Sequence, residues 1–157
     1  MSDATLTPPA AIAAYDDDFY AWTQEQARLL RAGRFSDVDI QNIAEELETL
    51  GRSQKREIVR RLAVLLLHLL KWMAQPDRRS NSWQATILEQ RQRIREELED
   101  SPSLRRWPGA RLAREYDLAR LKASGETGLP LESFPPACPF TIAQVLDPAF
   151  LPGEPGG

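Results

Sequence analysis

The sequence has one cysteine and one histidine, and these shortages exclude several kinds of site. The lone Cys138 cannot form an internal disulfide, and a single thiol is typical of a reducing cytoplasm. The lone His68 leaves no HxxxH, HxxE or CxxC spacing, whereas zinc needs three or four protein ligands. We therefore expect no metal and no other cofactor.

The sequence also lacks a long hydrophobic run. The longest extends from Leu62 to Leu70 and is interrupted by His68, whereas a membrane span needs about 20 apolar residues. The first residues have neither a basic start nor a long apolar segment, so no secretory signal is expected. A Gly-rich phosphate loop is missing as well. These absences predict a cytoplasmic protein without membrane contact.

Charge is present in blocks of opposite sign. Residues 1–51 carry a net charge of −7, residues 52–124 carry +8 and residues 125–157 carry −4. Acidic and basic helices could face each other within one bundle, or the basic middle could bind an external anion such as nucleic acid. We favour the first interpretation, because the acidic ends would repel a polyanion.

Apolar residues recur at helical spacing and nowhere at β spacing, which predicts an all-α fold. Gly33, Gly51, Pro76 and Pro108 are expected to end or break helices. The predicted helices cover about 16–32, 40–50, 53–74, 83–99 and 110–123. We predict a helical bundle of about five helices around the central apolar helix at about 53–74, with a Pro-rich C-terminal strap from 125 onward.

The termini differ in composition from this helical region. Residues 1–14 are small and Pro-containing, and they are expected to form a flexible N-terminal arm. A single helical domain should then cover 15–152, with a disordered tail at 153–157. Within the strap, Thr141 and Gln144 suit a capping box of a brief helix, and Phe150 with Leu151 could lie back on the bundle.

His68 lies beside the core stripe of the predicted third helix, and Glu46 lies beside the stripe of the second. Across an antiparallel pair of helices the two could meet, and Arg91 occupies an inward position of the fourth helix. Together they could form a polar pocket of an enzyme or of a small-anion binder. The structural alternative is a buried histidine that hydrogen-bonds a glutamate. Glu45, Glu46 and Glu48 resemble a di-iron cluster, but one histidine cannot complete such a site.

Basic residues recur at helical spacing at the start of the third helix. The set consists of Arg52, Lys55, Arg56, Arg60 and Arg61. Such a strip could bind phosphates of a nucleic acid, and the positive end of the helix would favour an anion. Stacking aromatic residues are missing between these bases, because Trp72, Trp83 and Trp107 are interpreted as core or edge anchors. A salt-bridged surface facing acids of the second helix is the structural alternative.

Large aromatic residues near both ends of the helical region could contact a partner. They are Phe19, Tyr20, Trp22 and Phe150. The leading functional hypothesis is therefore a non-enzymatic protein-interaction module. A nucleic-acid binder that uses the basic residues of 52–61 is one alternative. An enzyme or small-anion binder that uses His68, Glu46 and Arg91 is the other.

The order of several short motifs resembles a widespread bacterial family known as a domain of unknown function, the twenty-ninth of its series. The motifs include Ala44-Glu45-Glu46-Leu47-Glu48, His68-Leu69-Leu70-Lys71-Trp72 and Asp100-Ser101-Pro102-Ser103-Leu104. The last of them, Phe134-Pro135 through Cys138-Pro139 to Leu146-Asp147, closes the match, which covers nearly everything from Tyr15 to Pro152. The resemblance implies a compact helical fold in a cytoplasmic bacterial protein, and it implies no activity.

Overall fold

The computed structural model describes residues 15–153, and no strand occurs within that range. The α-helices are α1 (Phe19–Arg31), α2 (Ile40–Ala74), α3 (Asn81–Asp100), α4 (Trp107–Thr127) and α5 (Ile142–Leu146). The predicted all-α helical bundle is confirmed. None of the helices in these residues is both long and apolar enough to cross a membrane. The predicted arm at 1–14, and the predicted tail beyond Gly153, lie outside the described residues.

The chain divides into two compact units, the first ending at Arg52 and the second beginning at Ser53. Helix α2 contributes its first turns to the first unit and its remainder to the second. The domain boundaries that we derived from the sequence, with one domain over 15–152, stay a prediction.

The first unit is built by α1 and the start of α2. The Asp18 carboxylate caps α1 by accepting from the Ala21 amide at 3.0 Å, as the acidic run before the helix predicts. Trp22 and Gln26 are buried. The Trp22 indole donates to the Asp39 carboxylate at 3.1 Å, and the side-chain Oε1 of Gln26 accepts from the backbone amide of Asp39 at 2.7 Å. These two bonds join α1 to the residue before α2.

Helix α2 corrects the prediction of two helices separated at Gly51. The helix is continuous from Ile40 to Ala74, because Gly51 does not adopt the positive φ with which glycine ends a helix. A glycine inside a helix costs only about 1 kcal/mol, and the favourable residues on both sides outweigh that cost. Pro76 does follow the end of α2, as predicted.

The predicted inward stripe of residues 40–50 is also corrected. Ile40, Leu47 and Leu50 are each more than 60% exposed, and Ile43 is half-buried. The first unit therefore presents apolar side chains to solvent.

The second half of α2 is the core of the second unit, as predicted for the helix at 53–74. Its leucines 62, 65, 66, 69 and 70 have no exposed surface. Their neighbours in the core come from α3, α4 and the strap, and they include Ile87, Ile94, Tyr116, Ala119, Phe134, Val145 and Phe150. A helix that is apolar on all sides requires such enclosure.

Helix α4 begins three residues earlier and ends four residues later than predicted. The sequence predicts that Pro108 interrupts the helical structure. Pro108 instead lies in the first turn of α4, where the lack of a backbone amide hydrogen costs nothing. Gly128, at φ +74°, ends the helix. The strap therefore comprises residues 128–152.

The strap is held to the second unit by side chains and by backbone carbonyls. The predicted capping box between Thr141 and Gln144 is present at the start of α5. The Tyr116 hydroxyl donates to the Pro135 carbonyl at 2.5 Å. Phe150 is buried and lies edge-on to Phe140, with 5.9 Å between the ring centroids. The strap is thus part of the folded core.

Candidate functional site

A cavity of the second unit has a volume of about 450 Å³ and a basic lining. It is open to solvent between the first turns of the unit's α2 segment and the start of α4. Its lining residues are Ser53, Lys55, Arg56, Val59, Arg60, Trp107 and Arg111. We call this cavity the basic cavity. Three of its four cations belong to the predicted anion-binding set.

The cations of the basic cavity differ in their partners. Arg60 forms an ion pair with Glu57, and Arg111 forms one with Glu115 at 2.8 Å. Lys55 and Arg56 are exposed, and neither has a carboxylate partner among residues 15–153. Two positive charges of the basic cavity are therefore available to an external anion.

Trp107, which the sequence interpretation took as a core or edge anchor, supplies an aromatic surface to the basic cavity. Its indole nitrogen donates to the Lys55 carbonyl at 3.3 Å, which fixes the ring against α2. The Lys55 ammonium lies 4.4 Å from the ring centroid, and the Arg111 guanidinium carbon lies 5.6 Å from it. Cation–π attraction therefore holds both cations next to the same half-buried ring.

The start of α4 adds further positive potential to the basic cavity. Trp107 is the first residue of the helix, whose first turn contains no acid and whose N-cap makes no side-chain hydrogen bond. The free amides of a helix N-terminus favour an anion. In addition, the Nε atom of Arg111 is buried and has no hydrogen-bond partner among the described residues. The free amides at the start of α4 suit a ligand with negatively charged oxygens, whereas the buried Arg111 Nε does not face solvent.

The two remaining members of the predicted basic set are engaged elsewhere. Arg52 donates to the Thr49 hydroxyl at 3.1 Å and lies 3.8 Å from the Glu48 carboxylate. Arg61 pairs with Glu57 at 2.7 Å and donates to Gln90 at 3.3 Å. Neither residue lines the basic cavity.

The structure gives separate partners to the residues of the predicted polar pocket. His68 Nδ1 is 2.9 Å from the Val64 carbonyl oxygen of its own helix. Glu46 accepts from the Tyr15 hydroxyl at 2.7 Å, and this bond raises the pKa of Tyr15 to about 12. Because α2 is one continuous helix, Glu46 and His68 do not face each other across an antiparallel pair. The reasoning that joined the two residues was therefore wrong.

Arg91, the third member of that predicted pocket, is buried in the second unit. Its Nε donates to the Val145 carbonyl at 2.8 Å and its Nη2 to the Gln144 carbonyl at 3.4 Å. No carboxylate of the described chain forms an ion pair with it, and burial lowers its pKa. Arg91 lines a second cavity, whose lining does not include His68.

The predicted partner contacts divide into exposed and buried residues. Phe19 is 50% exposed and Tyr20 is 74% exposed. Trp22 and Phe150 are buried, because each is part of a packed aromatic cluster. Of the four, only Phe19 and Tyr20 offer their side chains to a partner.

The thiol and the metal-binding residue types form no reactive centre among the described residues. Burial raises the pKa of Cys138, which disfavours the nucleophilic thiolate. No group of three or more His, Cys, Asp or Glu side chains that could hold a metal ion occurs among residues 15–153. The charges that line the basic cavity would suit an anion.

Sequence reasoning missed Trp107 and Arg111 as members of this site. The pair Trp107-Pro108 is a signal of a helix start, since proline is favoured in the first turn of a helix. That rule, applied consistently, would have placed Trp107 at a helix start and Arg111 one turn later on the same side. Their proximity to Lys55 depends on tertiary packing, which the sequence pattern does not encode.

Comparison with known proteins bears on the family of this chain. No curated protein and no solved structure matches it. One family model, described as a domain of unknown function, matches residues 14–151, which is most of the chain. The protein therefore belongs to the DUF29 family.

Proposed function

We propose that this protein is a non-enzymatic binding module that recognises an acidic segment of another protein through the basic cavity. The observation that carries the proposal is the position of the unpaired Lys55 and Arg56 beside Trp107. Two available charges and one aromatic surface suit a short peptide in which carboxylates alternate with apolar residues.

The apolar parts of the basic cavity support a peptide ligand. Val59 and Trp107 are both half-buried, so each still has surface that a ligand can cover. Separately from the basic cavity, the first unit exposes Phe19 and Tyr20, which are residues of the kind that protein partners bury. Exposed aromatic residues favour a protein partner over a free inorganic anion.

Nucleic acid is the weaker candidate for the same cavity. Lys55 and Arg111 already occupy the surroundings of the Trp107 ring, so a base can stack there only by displacing a cation. Glu57 and Glu115 neutralise two of the four cations. The whole chain also carries a net charge of −3, which opposes a long polyanion.

Binding of a fluorescein-labelled peptide of alternating glutamate and leucine, followed by fluorescence anisotropy, tests the proposal. The double substitution Lys55→Glu with Arg56→Glu should weaken binding at least about tenfold, since it reverses both unpaired charges. The peptide's glutamine counterpart should bind at least about tenfold more weakly to the unsubstituted protein.

The control is Arg114→Glu with Lys122→Glu, which changes the net charge equally. Both residues are exposed on α4, and neither lines the basic cavity. If the control weakens binding as much as the test variant does, the net charge determines the binding and the basic cavity is not the site. If single-stranded oligothymidine binds more tightly than the peptide and loses affinity steeply with salt, the nucleic-acid alternative replaces the proposal.

A further inference from the structure

A second cavity of the second unit, about 320 Å³ in volume, contains a buried charge. Arg91 lines it, and the Arg91 side chain is only 4% exposed. The apolar part of the lining consists of Ile94, Leu98 and Leu146. A cavity of this size that combines an apolar wall with charged groups can hold a small molecule.

The guanidinium of Arg91 is only partly used by the fold. Nε and Nη2 donate to carbonyls at the end of α5, which helps to hold the strap. Nη1 makes no hydrogen bond with a described residue, and it is not fully buried. This nitrogen therefore reaches accessible surface, and its donors are free to bind a ligand.

A buried guanidinium without a carboxylate is costly, because its charge has lost water without gaining an opposite charge. Arg91 has no ion pair among residues 15–153. Backbone carbonyls compensate it in part, and Asp147 lies near enough to favour its charged form. An anion that entered the cavity would supply the missing charge.

The remaining lining residues also favour an anion. Arg95 and Arg105 are exposed at the cavity, together with one acid, Glu99. None of these three forms an ion pair within the described part of the chain. The lining therefore has three guanidinium groups against one carboxylate.

We infer that this second cavity binds a small organic carboxylate with an apolar chain, its carboxylate on Arg91 and its chain against Ile94, Leu98 and Leu146. A guanidinium fork matches a carboxylate in geometry and in charge. The apolar wall contributes little to a fully hydrated anion such as inorganic phosphate, so the ligand carries hydrocarbon. This inference does not depend on the basic cavity and would survive its failure.

The test uses octanoate as the probe, with 1-octanol as the uncharged molecule of equal chain length and acetate as the carboxylate without a chain. Isothermal titration calorimetry on the full chain measures affinity, and the ¹⁵N-detected side-chain signal of Arg91 reports its contact with the carboxylate. Octanoate should bind at least about tenfold more tightly than either comparison molecule, and it should shift the Arg91 signal.

Leu98→Trp fills the cavity from its half-buried wall and leaves Arg91 in place. It should weaken octanoate binding at least about tenfold, whereas Arg93→Gln, an exposed arginine of the same helix, should leave it unchanged. The inference is overturned if octanoate fails to bind at about 10 mM, or if octanol binds equally well. Unchanged affinity in a folded Leu98→Trp protein would overturn it as well.

Discussion

Replacing Gly51 by alanine should stabilise the protein, because α2 passes through this position without a break. Gly51 lies inside the helix, and it has no positive φ. A Cβ atom at this position would meet nothing within 4 Å apart from the adjoining backbone of its own helix. The substitution therefore adds a methyl group to open space, with neither steric strain nor new burial.

The expected gain is the difference in helix propensity between the two residues. Glycine is about 1 kcal/mol less favourable than alanine in a helix interior, largely because it has more conformational freedom to lose on folding. For a chain of this length, a gain of 1 kcal/mol raises the Tm by about 2–4 °C.

Gly128→Ala is the matched control, because its Cβ also meets nothing within 4 Å but its φ is +74°. That left-handed conformation penalises alanine by about 1–2 kcal/mol, so the control should lower the Tm. Thermal unfolding followed by circular dichroism measures both variants. A loss of stability in Gly51→Ala would show that α2 is interrupted at Gly51 or that another surface covers it, and either result would refute the reasoning.

Three further predictions concern packing, pH and capping. Leu66→Ala should lower the free energy of unfolding by about 2–5 kcal/mol, as measured by urea denaturation, because Leu66 has no exposed surface. Leu47 is 63% exposed, so Leu47→Ala should change the free energy of unfolding by less than about 0.5 kcal/mol. Tyr15 should resist ionisation until the pH approaches 12, as read from phenolate absorbance, and Glu46→Gln should move that titration toward pH 10. Because the folded pKa is raised, the Tyr15–Glu46 bond should stabilise the first unit fully below pH 10, and this contribution should disappear as the pH rises through about 12. Thr141→Ala removes the hydroxyl that caps α5 and should cost about 1 kcal/mol, with faster amide exchange in α5 as its signature.

Local patterns predicted the features that depend on neighbouring residues. The all-α class, the cap at Asp18, the core around Leu66 and the capping box at Thr141 all follow from spacing and from residue type. Each of these features could be predicted because its signal lies in residues that are close together in the sequence.

The wrong predictions concern helix breaks, where the preference of a single residue is outweighed by its position in the helix or by the helix-forming residues around it. Gly51 and Pro108 were both interpreted as breaks, but glycine ends a helix reliably only with a positive φ, and proline is tolerated in a first turn. Sequence gives no φ value, and the length of favourable residues around Gly51 outweighed a penalty of about 1 kcal/mol.

The sequence pattern identified some residues of the candidate sites but not how those sites are composed. The basic run includes Lys55 and Arg56, which both line the basic cavity, and their binding of an anion stays a prediction. Trp107 and Arg111 come from a helix about fifty residues later in the chain, and only tertiary packing brings them to Lys55. Tertiary packing also gives Arg91 and His68 different partners. Arg91 donates to a carbonyl of the strap, whereas His68 contacts the Val64 carbonyl of its own helix.

The position of Cys138 makes the strap observable without any engineering. This thiol is the only one in the chain, it is half-buried among core residues, and its Sγ donates to the Phe140 carbonyl at 3.4 Å. Because the core covers part of this residue, a thiol reagent should react faster whenever this part of the strap detaches. The labelling rate of the natural protein should therefore rise with opening of the strap, and a ligand that holds the strap against the core should slow the reaction.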